Sequence, residues 1–143
     1  MAALALLGKR VLIPLADYLR YDLVIDDGGR FLRVQCKTGR LIKGAIRFDP
    51  CSIDSRSKQG GCIRKGYVGE VELFGVYCPE LKRCYLIPLE DVTATGCHLR
   101  VEPPKNGQKT KIRWAADYEL REETITPTGL SIPSAVVENV ELS

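Results

Sequence analysis

The sequence predicts an α/β domain of the α+β type, built on a central mixed β-sheet of about five strands with few, short flanking helices. Two patterns carry this prediction: apolar runs joined by a Gly-Gly turn between residues 23 and 34, and a second pair of strand-forming runs between residues 75 and 88. A length of 143 residues with 45% hydrophobic and 27% charged residues is typical of one globular domain. We expect this domain to span residues 1–120, with 121–143 as a tail that is either disordered or in contact with another subunit.

The start of the chain is apolar up to Gly8, and we interpret it as the end of a truncated helix capped by that glycine. A signal peptide is not indicated, because the basic pair Lys9-Arg10 follows the apolar stretch instead of preceding it. No apolar run is long enough to cross a membrane. We therefore expect a cytoplasmic or nucleoid-associated protein that is not secreted. Residues 11–13 then predict a short strand, ended by Pro14.

The first hairpin brings three polar side chains together. Its strands are predicted at residues 23–25 and 31–34, so Asp22 at the start of one strand lies beside Gln35 at the end of the other. Lys37 is two residues beyond Gln35 and points to the same face of the sheet. The sequence thus predicts a carboxylate, an amide and an ammonium group at one end of a sheet.

These three groups suit metal-assisted phosphoryl chemistry. Carboxylate and amide oxygens are hard ligands that suit Mg²⁺, which keeps several of its own waters. The metal ion can lower the pKa of a bound water and neutralise a phosphoryl group. An adjacent lysine can orient the attacking water or stabilise the anionic transition state.

The remaining chain predicts further elements around this hairpin. Gly39-Arg40 is expected to break the strand after Thr38. Beyond it we expect a strand at 45–48, a mobile loop at 51–66, a helical turn before the second hairpin, a turn at 89–92, a strand at 98–101, a loop at 105–114 and a closing helical turn at 115–120.

Charge and cysteine content narrow the classes of function. Residues 1–115 carry 20 Lys and Arg against 12 Asp and Glu, whereas residues 116–143 carry one Arg against six acids. A basic body with an acidic tail fits a polyanionic partner, and the alternative is a solvated basic surface. The six cysteines form no C-x-x-C pair and there is one histidine, so a zinc site is not indicated. His98 is assigned no role.

The residues Val34-Gln35-Cys36-Lys37-Thr38, with Asp22 thirteen positions before Gln35, resemble the PD-(D/E)XK nuclease superfamily. They are most similar to its group I intron-associated branch, which includes homing endonucleases and commonly has V-Q-C-K-T with glutamine in the usual acidic position. The similarity extends from about Gly8 to about Leu120, through the blocks at 67–72 and 76–80. It implies a restriction-endonuclease-like core.

The resemblance also implies roles for the site residues. Asp22 would be the main metal ligand, Gln35 would supply an amide or water-mediated contact, the carbonyl of Cys36 could complete the shell around Mg²⁺, and Lys37 would be catalytic. Family members carry a further glutamate on a longer leading helix, which this chain starts too late to include. Either the start is truncated, or metal binding depends more on Asp22 and Gln35.

Duplex or branched DNA is the implied partner, and a homodimer or homotetramer is the implied assembly, because one site cuts one strand. Ten residues are candidates for contact with the DNA: Arg20, Lys43, Arg47, Arg56, Lys58, Arg64, Lys65, Tyr67, Lys105 and Lys109.

Three hypotheses follow from the sequence. The first is a Mg²⁺-dependent DNA endonuclease of the homing or resolvase-like kind, and the second is a weakly active or inactive DNA-binding or assembly module with the same fold. The third is a protein-interaction domain with buried polar residues at the hairpin, which would show little salt-dependent binding of nucleic acid.

Overall fold

The structure is a computed structural model that describes residue 4 and the ranges 8–54 and 63–121. Two candidate DNA contacts, Arg56 and Lys58, and the tail beyond residue 121 lie outside these described residues. Within them, no helix has both the length and the apolar character needed to cross a membrane.

Short strands are the main regular elements of the described chain, together with two single-turn 3-10 helices at Leu89–Asp91 and Ala115–Asp117. The strands, in chain order, are β1 (Arg10–Leu12), β2 (Leu23–Asp26), β3 (Phe31–Thr38), β4 (Arg40–Ile42), β5 (Ala45–Phe48), β6 (Ser52–Asp54), β7 (Ile63–Lys65), β8 (Leu73–Cys78), β9 (Arg83–Pro88) and β10 (Cys97–Arg100).

The predicted central sheet is confirmed: it has five strands in the order β1-β2-β3-β8-β9. It is mixed, because β3 and β8 run parallel while the other neighbours are antiparallel. Both predicted hairpins are present, as β2–β3 and β8–β9. A second sheet has the order β10-β5-β4, and β6 pairs with β7.

The two faces of the central sheet are packed separately. One face carries Leu32 and Val34 of β3 in a cluster with Leu4 and Leu23. The other face packs against the second sheet, and the core between them includes Phe74, Val76, Ile46 and Leu99, all at most 1% exposed. Gln35 and Lys37 belong to this second face, because successive residues of a strand alternate between faces. The site therefore lies where the two sheets meet.

The predicted glycine cap at the start of the chain agrees with the described residues. Gly8 has φ of +70°, which glycine adopts without steric cost. The Lys9 amide donates to the Leu4 carbonyl at 3.1 Å, the six-to-one hydrogen bond of a glycine-capped helix end.

One prediction about connections is confirmed and one is wrong. β3 ends at Thr38 as predicted, although Arg40 then begins β4, which forms a hairpin with β5. The segment 51–66 is not a single loop, because β6 and β7 pair at its two ends, with Ser52 opposite Lys65. Its central residues, 55–62, lie outside the described part of the chain.

Candidate functional site

The Asp22 carboxylate is held at the start of β2 against the end of β3. The Asp22 amide donates to the Val34 carbonyl at 2.9 Å, which extends the hairpin ladder by one step. Oδ2 of Asp22 then accepts hydrogen bonds from Nε2 of Gln35 and from the Cys36 amide, both at 2.7 Å. The hairpin thus sets the acid directly beside the amide, as its register predicts.

The Gln35 side chain lies between two oxygen atoms. Its Nε2 donates to Asp22 Oδ2 at 2.7 Å and lies 3.3 Å from the Cys36 carbonyl oxygen. An N–H donor that bridges a carboxylate and a carbonyl stands where a cation would be attracted by the same two oxygens. These two oxygens are hard donors that fit a hydrated divalent ion, and the Gln35 amide oxygen would join them if the amide turned over.

This donor set contains one carboxylate. Among the described residues, no group of three or more His, Cys, Asp or Glu side chains is placed to hold a metal ion. The Cys36 thiol is not available to the set, because it belongs to the opposite face of β3 and lines a small apolar pocket of about 110 Å³. The carbonyl is therefore the atom of Cys36 that faces the site residues.

Lys37, on the same face of β3 as Gln35, is held by two neighbours. Its Nζ donates to the Cys51 carbonyl at 2.9 Å and lies 3.5 Å from the Tyr67 hydroxyl. The ammonium nitrogen is also 5.1 Å from the centroid of the Tyr67 ring, within cation–π range. These contacts hold the charge of Lys37 on the same face as Gln35.

Tyr67 is buried, with 4% of its surface exposed, and a second cation covers its ring. The Arg20 guanidinium carbon lies 4.1 Å from the ring centroid. Arg20 also donates to Glu70 at 2.6 Å and to the Gly66 carbonyl at 2.8 Å, and it donates to the Ser52 hydroxyl. The Tyr67 ring is therefore in contact with two cations, Arg20 and Lys37.

Glu70 balances the positive charge in this cluster. It pairs with Arg20 at 2.6 Å and with Lys65 at 3.5 Å. The Arg20 hydrogen bond is the main reason that the pKa of Glu70 is lowered, so Glu70 is ionised at neutral pH. The positive groups nearest Lys37 are thus partly neutralised by an acid.

The structure divides the other candidate DNA-contacting residues into groups. Arg20, Lys65 and Tyr67 form the cluster beside Lys37, and Arg64 pairs with Asp49 at 2.9 Å. The others that are described are exposed: Lys43, Arg47 and Lys105 line one open groove, and Lys109 lies outside its lining.

Several residues of the site were not identified from the sequence. The Cys51 carbonyl and the Ser52 hydroxyl reach the cluster only because β6 folds back beside β7, and no local pattern predicted that pairing. Arg100 lines the groove with His98, and the alternation of residues 97–100 could have placed both on an exposed face.

The comparison with protein families gives the class of the protein, a nuclease built on a mixed sheet. The sequence matches the family described as PD-(D/E)XK endonuclease over residues 1–121. Because the match covers most of the chain, the protein belongs to this family. Nucleases of the family act on DNA and generally use divalent metal ions.

A solved structure supports the same conclusion. The chain is similar to a bacterial homing endonuclease, I-Ssp6803I, with a TM-score of 0.62 and 29% sequence identity, covering 83% of this chain and 79% of that one. Among curated proteins no sequence matches significantly. The predicted restriction-endonuclease-like core is therefore confirmed, as is the predicted membership of the PD-(D/E)XK nucleases.

Proposed function

We propose that the protein is a Mg²⁺-dependent DNA endonuclease that hydrolyses phosphodiester bonds, with a D…QxK variant of the family's active site. The observation that carries this proposal is the contact of one Asp22 oxygen with both the Gln35 amide and the Cys36 backbone, with Lys37 on the same face. The homing type, associated with group I introns, is favoured over the resolvase type by the similarity to a homing endonuclease.

Each site residue has a distinct role in this proposal. Asp22, the Gln35 amide oxygen and the Cys36 carbonyl would hold Mg²⁺, which when bound supplies Lewis-acid activation of water and neutralises phosphate charge. Lys37, held by Cys51 and Tyr67, orients the attacking water and stabilises the anionic transition state. Basic side chains elsewhere hold phosphates, which position DNA without selecting a sequence.

The assembly is also part of the proposal. A single site cleaves one strand, so a double-strand break needs two copies of the chain, and we propose a homodimer or homotetramer. Equilibrium sedimentation with and without a DNA duplex would measure the number of chains, and a monomer in both conditions would contradict this part.

The test of the activity compares isosteric variants with the wild type on plasmid and branched DNA. Asp22→Asn keeps the size and hydrogen-bond acceptor of the side chain but removes its charge. Lys37→Met keeps most of the stem over the Tyr67 ring but removes the ammonium group. Both are expected to abolish cleavage in Mg²⁺ while DNA binding in EDTA largely survives.

Matched controls remove the same charges elsewhere. Asp117→Asn changes an exposed acid in the 3-10 helix at 115–117, and Lys82→Asn changes an exposed lysine whose φ of +52° asparagine tolerates. Both controls should cleave like the wild type. Cleavage at the wild-type rate by Asp22→Asn and Lys37→Met would remove the proposal.

A second candidate is a DNA-binding or assembly module with little or no activity. It is favoured by the single carboxylate of the donor set, since no cluster of three or more metal-binding side chains occurs among the described residues. Retention of DNA without cleavage in Mg²⁺ or any other divalent ion would select this candidate over the first.

A further inference from the structure

The outer face of the second sheet carries a row of basic side chains. In the registers of β4, β5 and β10, Arg40 lies opposite Arg47, and Arg47 lies opposite His98. All three are exposed, whereas the alternate residues Ile46 and Leu99 are fully buried against the central sheet. Strand alternation therefore separates an apolar inner face from a basic outer face.

An open groove of about 910 Å³ lies along this face. One wall is the β4–β5 turn, which is tied to the end of β10 because Arg100 donates to the Lys43 carbonyl at 3.2 Å. The other wall is the irregular segment 102–113. The charged residues of the lining are one acid, Glu102, and six bases: Lys43, Arg47, Arg100, Lys105, Lys111 and Arg113.

A concave surface with this charge favours a polyanion. Six positive groups facing one acid concentrate positive potential in the groove, which attracts phosphates and releases their counterions on binding. Irregular backbone with exposed lysines, as in segment 102–113, can follow a phosphate backbone without needing a particular sequence.

The groove starts close to the site of the proposed chemistry. The carbonyl of Cys51 accepts from Lys37 Nζ at 2.9 Å, and the thiol of Cys51 lies 3.5 Å from the Ala94 carbonyl. The neighbours of Ala94, Thr93 and Thr95, line the groove. The contacts of Cys51 therefore link Lys37 to a segment that lines the groove.

His98 sits among cations in this groove. Arg47 faces it from β5, Arg100 lies two residues further on its own strand, and Arg40 is next in the row on β4. Partial burial, followed by the charges of Arg47 and Arg100, lowers the pKa of His98. This favours the neutral imidazole in the free protein, and phosphates that neutralise the two arginines would raise the pKa of His98.

We propose that this groove binds the sugar–phosphate backbone of a DNA duplex beside the bond to be cut, and that the His98 imidazole takes a proton from solvent when the phosphates bind. The proposal rests on the proposed function and adds to it a second contact surface and a pH-linked step. By linkage, DNA affinity then rises as pH falls, up to about tenfold for each unit by which binding raises the pKa of His98.

The salt dependence of binding tests the contact surface. Binding of a labelled duplex is measured by fluorescence anisotropy in EDTA, so that cleavage does not contribute. Arg47→Gln and Lys105→Gln should each weaken binding and lower the slope of log K against log salt concentration by about 0.9 for each lost phosphate contact. The control Arg10→Gln removes an exposed charge from β1, at the far edge of the central sheet, and should keep the wild-type slope.

The pH dependence tests the proton uptake. Wild-type affinity should increase between pH 8 and pH 6, and His98→Gln should show a flat profile over this range. Circular dichroism and thermal melting confirm that each variant is folded, and Lys105 lies in irregular chain whose substitution leaves both sheets intact. A wild-type salt slope in both Arg47→Gln and Lys105→Gln, or an unchanged pH profile in His98→Gln, overturns the proposal.

The same samples separate this proposal from the proposed activity. Wild-type cleavage together with unaltered DNA binding by the groove variants would refute the groove proposal but not the proposed nuclease activity. Groove-dependent DNA binding without cleavage in any divalent ion would refute the nuclease activity but not the groove proposal. If the wild type bound no DNA, both proposals would be refuted.

Discussion

The substitution Gly39→Ala tests how closely the two sheets pack at the end of β3. A Cβ atom at Gly39 would lie 2.6 Å from Cγ2 of Ile46 and 2.9 Å from Cγ1 of Val76, closer than real Cβ contacts. Ile46 belongs to the second sheet and Val76 to the central sheet, and they are 0% and 1% exposed. Both are β-branched and stiff about χ1, so neither can swing away into solvent.

Relief of this overlap requires the sheets to move apart or the strand end to shift. Overpacking of this kind in a core costs about 1–3 kcal/mol of the free energy of unfolding. For a domain of this size each kcal/mol corresponds to roughly 3–5 °C in Tm. The Gly39 amide also donates to the Tyr77 carbonyl of β8 at 2.8 Å. A shift at Gly39 would therefore disturb the pairing of the end of β3 with β8, which includes Lys37.

Urea denaturation and thermal melting measure the effect, with Gly29→Ala as the control. Gly29 lies in the β2–β3 turn, where an alanine methyl group would have no heavy atom within 4 Å and where φ is not positive. Alanine there should leave stability unchanged or raise it by about 0.5 kcal/mol, because it restricts the unfolded chain. If Gly39→Ala were as stable as Gly29→Ala, the close approach of the sheets at this residue would be refuted.

Three further predictions follow from other contacts. Glu72→Gln should cost about 1 kcal/mol at pH 7, because Glu72 accepts from the Arg33 amide at 2.6 Å and from its guanidinium at 2.7 Å. Burial raises the pKa of Glu72, but the hydrogen bonds from Arg33 lower it by more, so this stability is present above the ordinary pKa of 4.5 and is lost as pH falls through the lowered value. Urea titrations at pH 7 and pH 3 should therefore differ less in the variant, and an equal difference would contradict the prediction. Burial raises the pKa of the Cys97 thiol to about 11, so little reactive thiolate is present at pH 8. A thiol reagent at pH 8 should therefore modify Cys97 only after unfolding, as detected by mass spectrometry. Rapid labelling of Cys97 in the native protein would contradict this prediction. Gln35→Glu should strengthen Mg²⁺ binding in the absence of DNA by more than about tenfold, because it adds a second carboxylate to the donor set. Calorimetry measures this affinity, and an unchanged value would show that the ion binds elsewhere.

The contact between Asp22 and Gln35 could be predicted because its two strands are neighbours in the sequence. A tight turn with Gly28 at φ of +77° fixes the register of β2 and β3, and the register then decides which residues meet. The second hairpin was predictable for the same reason, since one short turn joins β8 to β9.

The second sheet could not be built from local patterns. β10 pairs with β5, although β6 to β9 lie between these two strands in the sequence. No local pattern in either segment specifies its partner. The row of Arg40, Arg47 and His98 depends on that pairing, so the sequence alone gives no reason to assign His98 a role. The pairing of β6 with β7 could not be predicted either, because a run rich in Ser, Gly and basic residues is usually irregular.

The distribution of charge assigns the attraction of DNA and the proposed chemistry at the hairpin to different surfaces. The donor set has one negative charge from Asp22, the neighbouring Lys37 is positive, and Glu70 partly neutralises Arg20 and Lys65. A site with so little net charge attracts a dication weakly on its own, whereas a DNA phosphate placed beside it adds the negative charge that the Gln35 amide does not supply. Metal ion and DNA are therefore expected to bind together, with the basic groove of β5 and β10 supplying most of the attraction. In the proposed mechanism, glutamine in the acidic position would limit metal binding without substrate, and so would couple cleavage to the presence of a duplex.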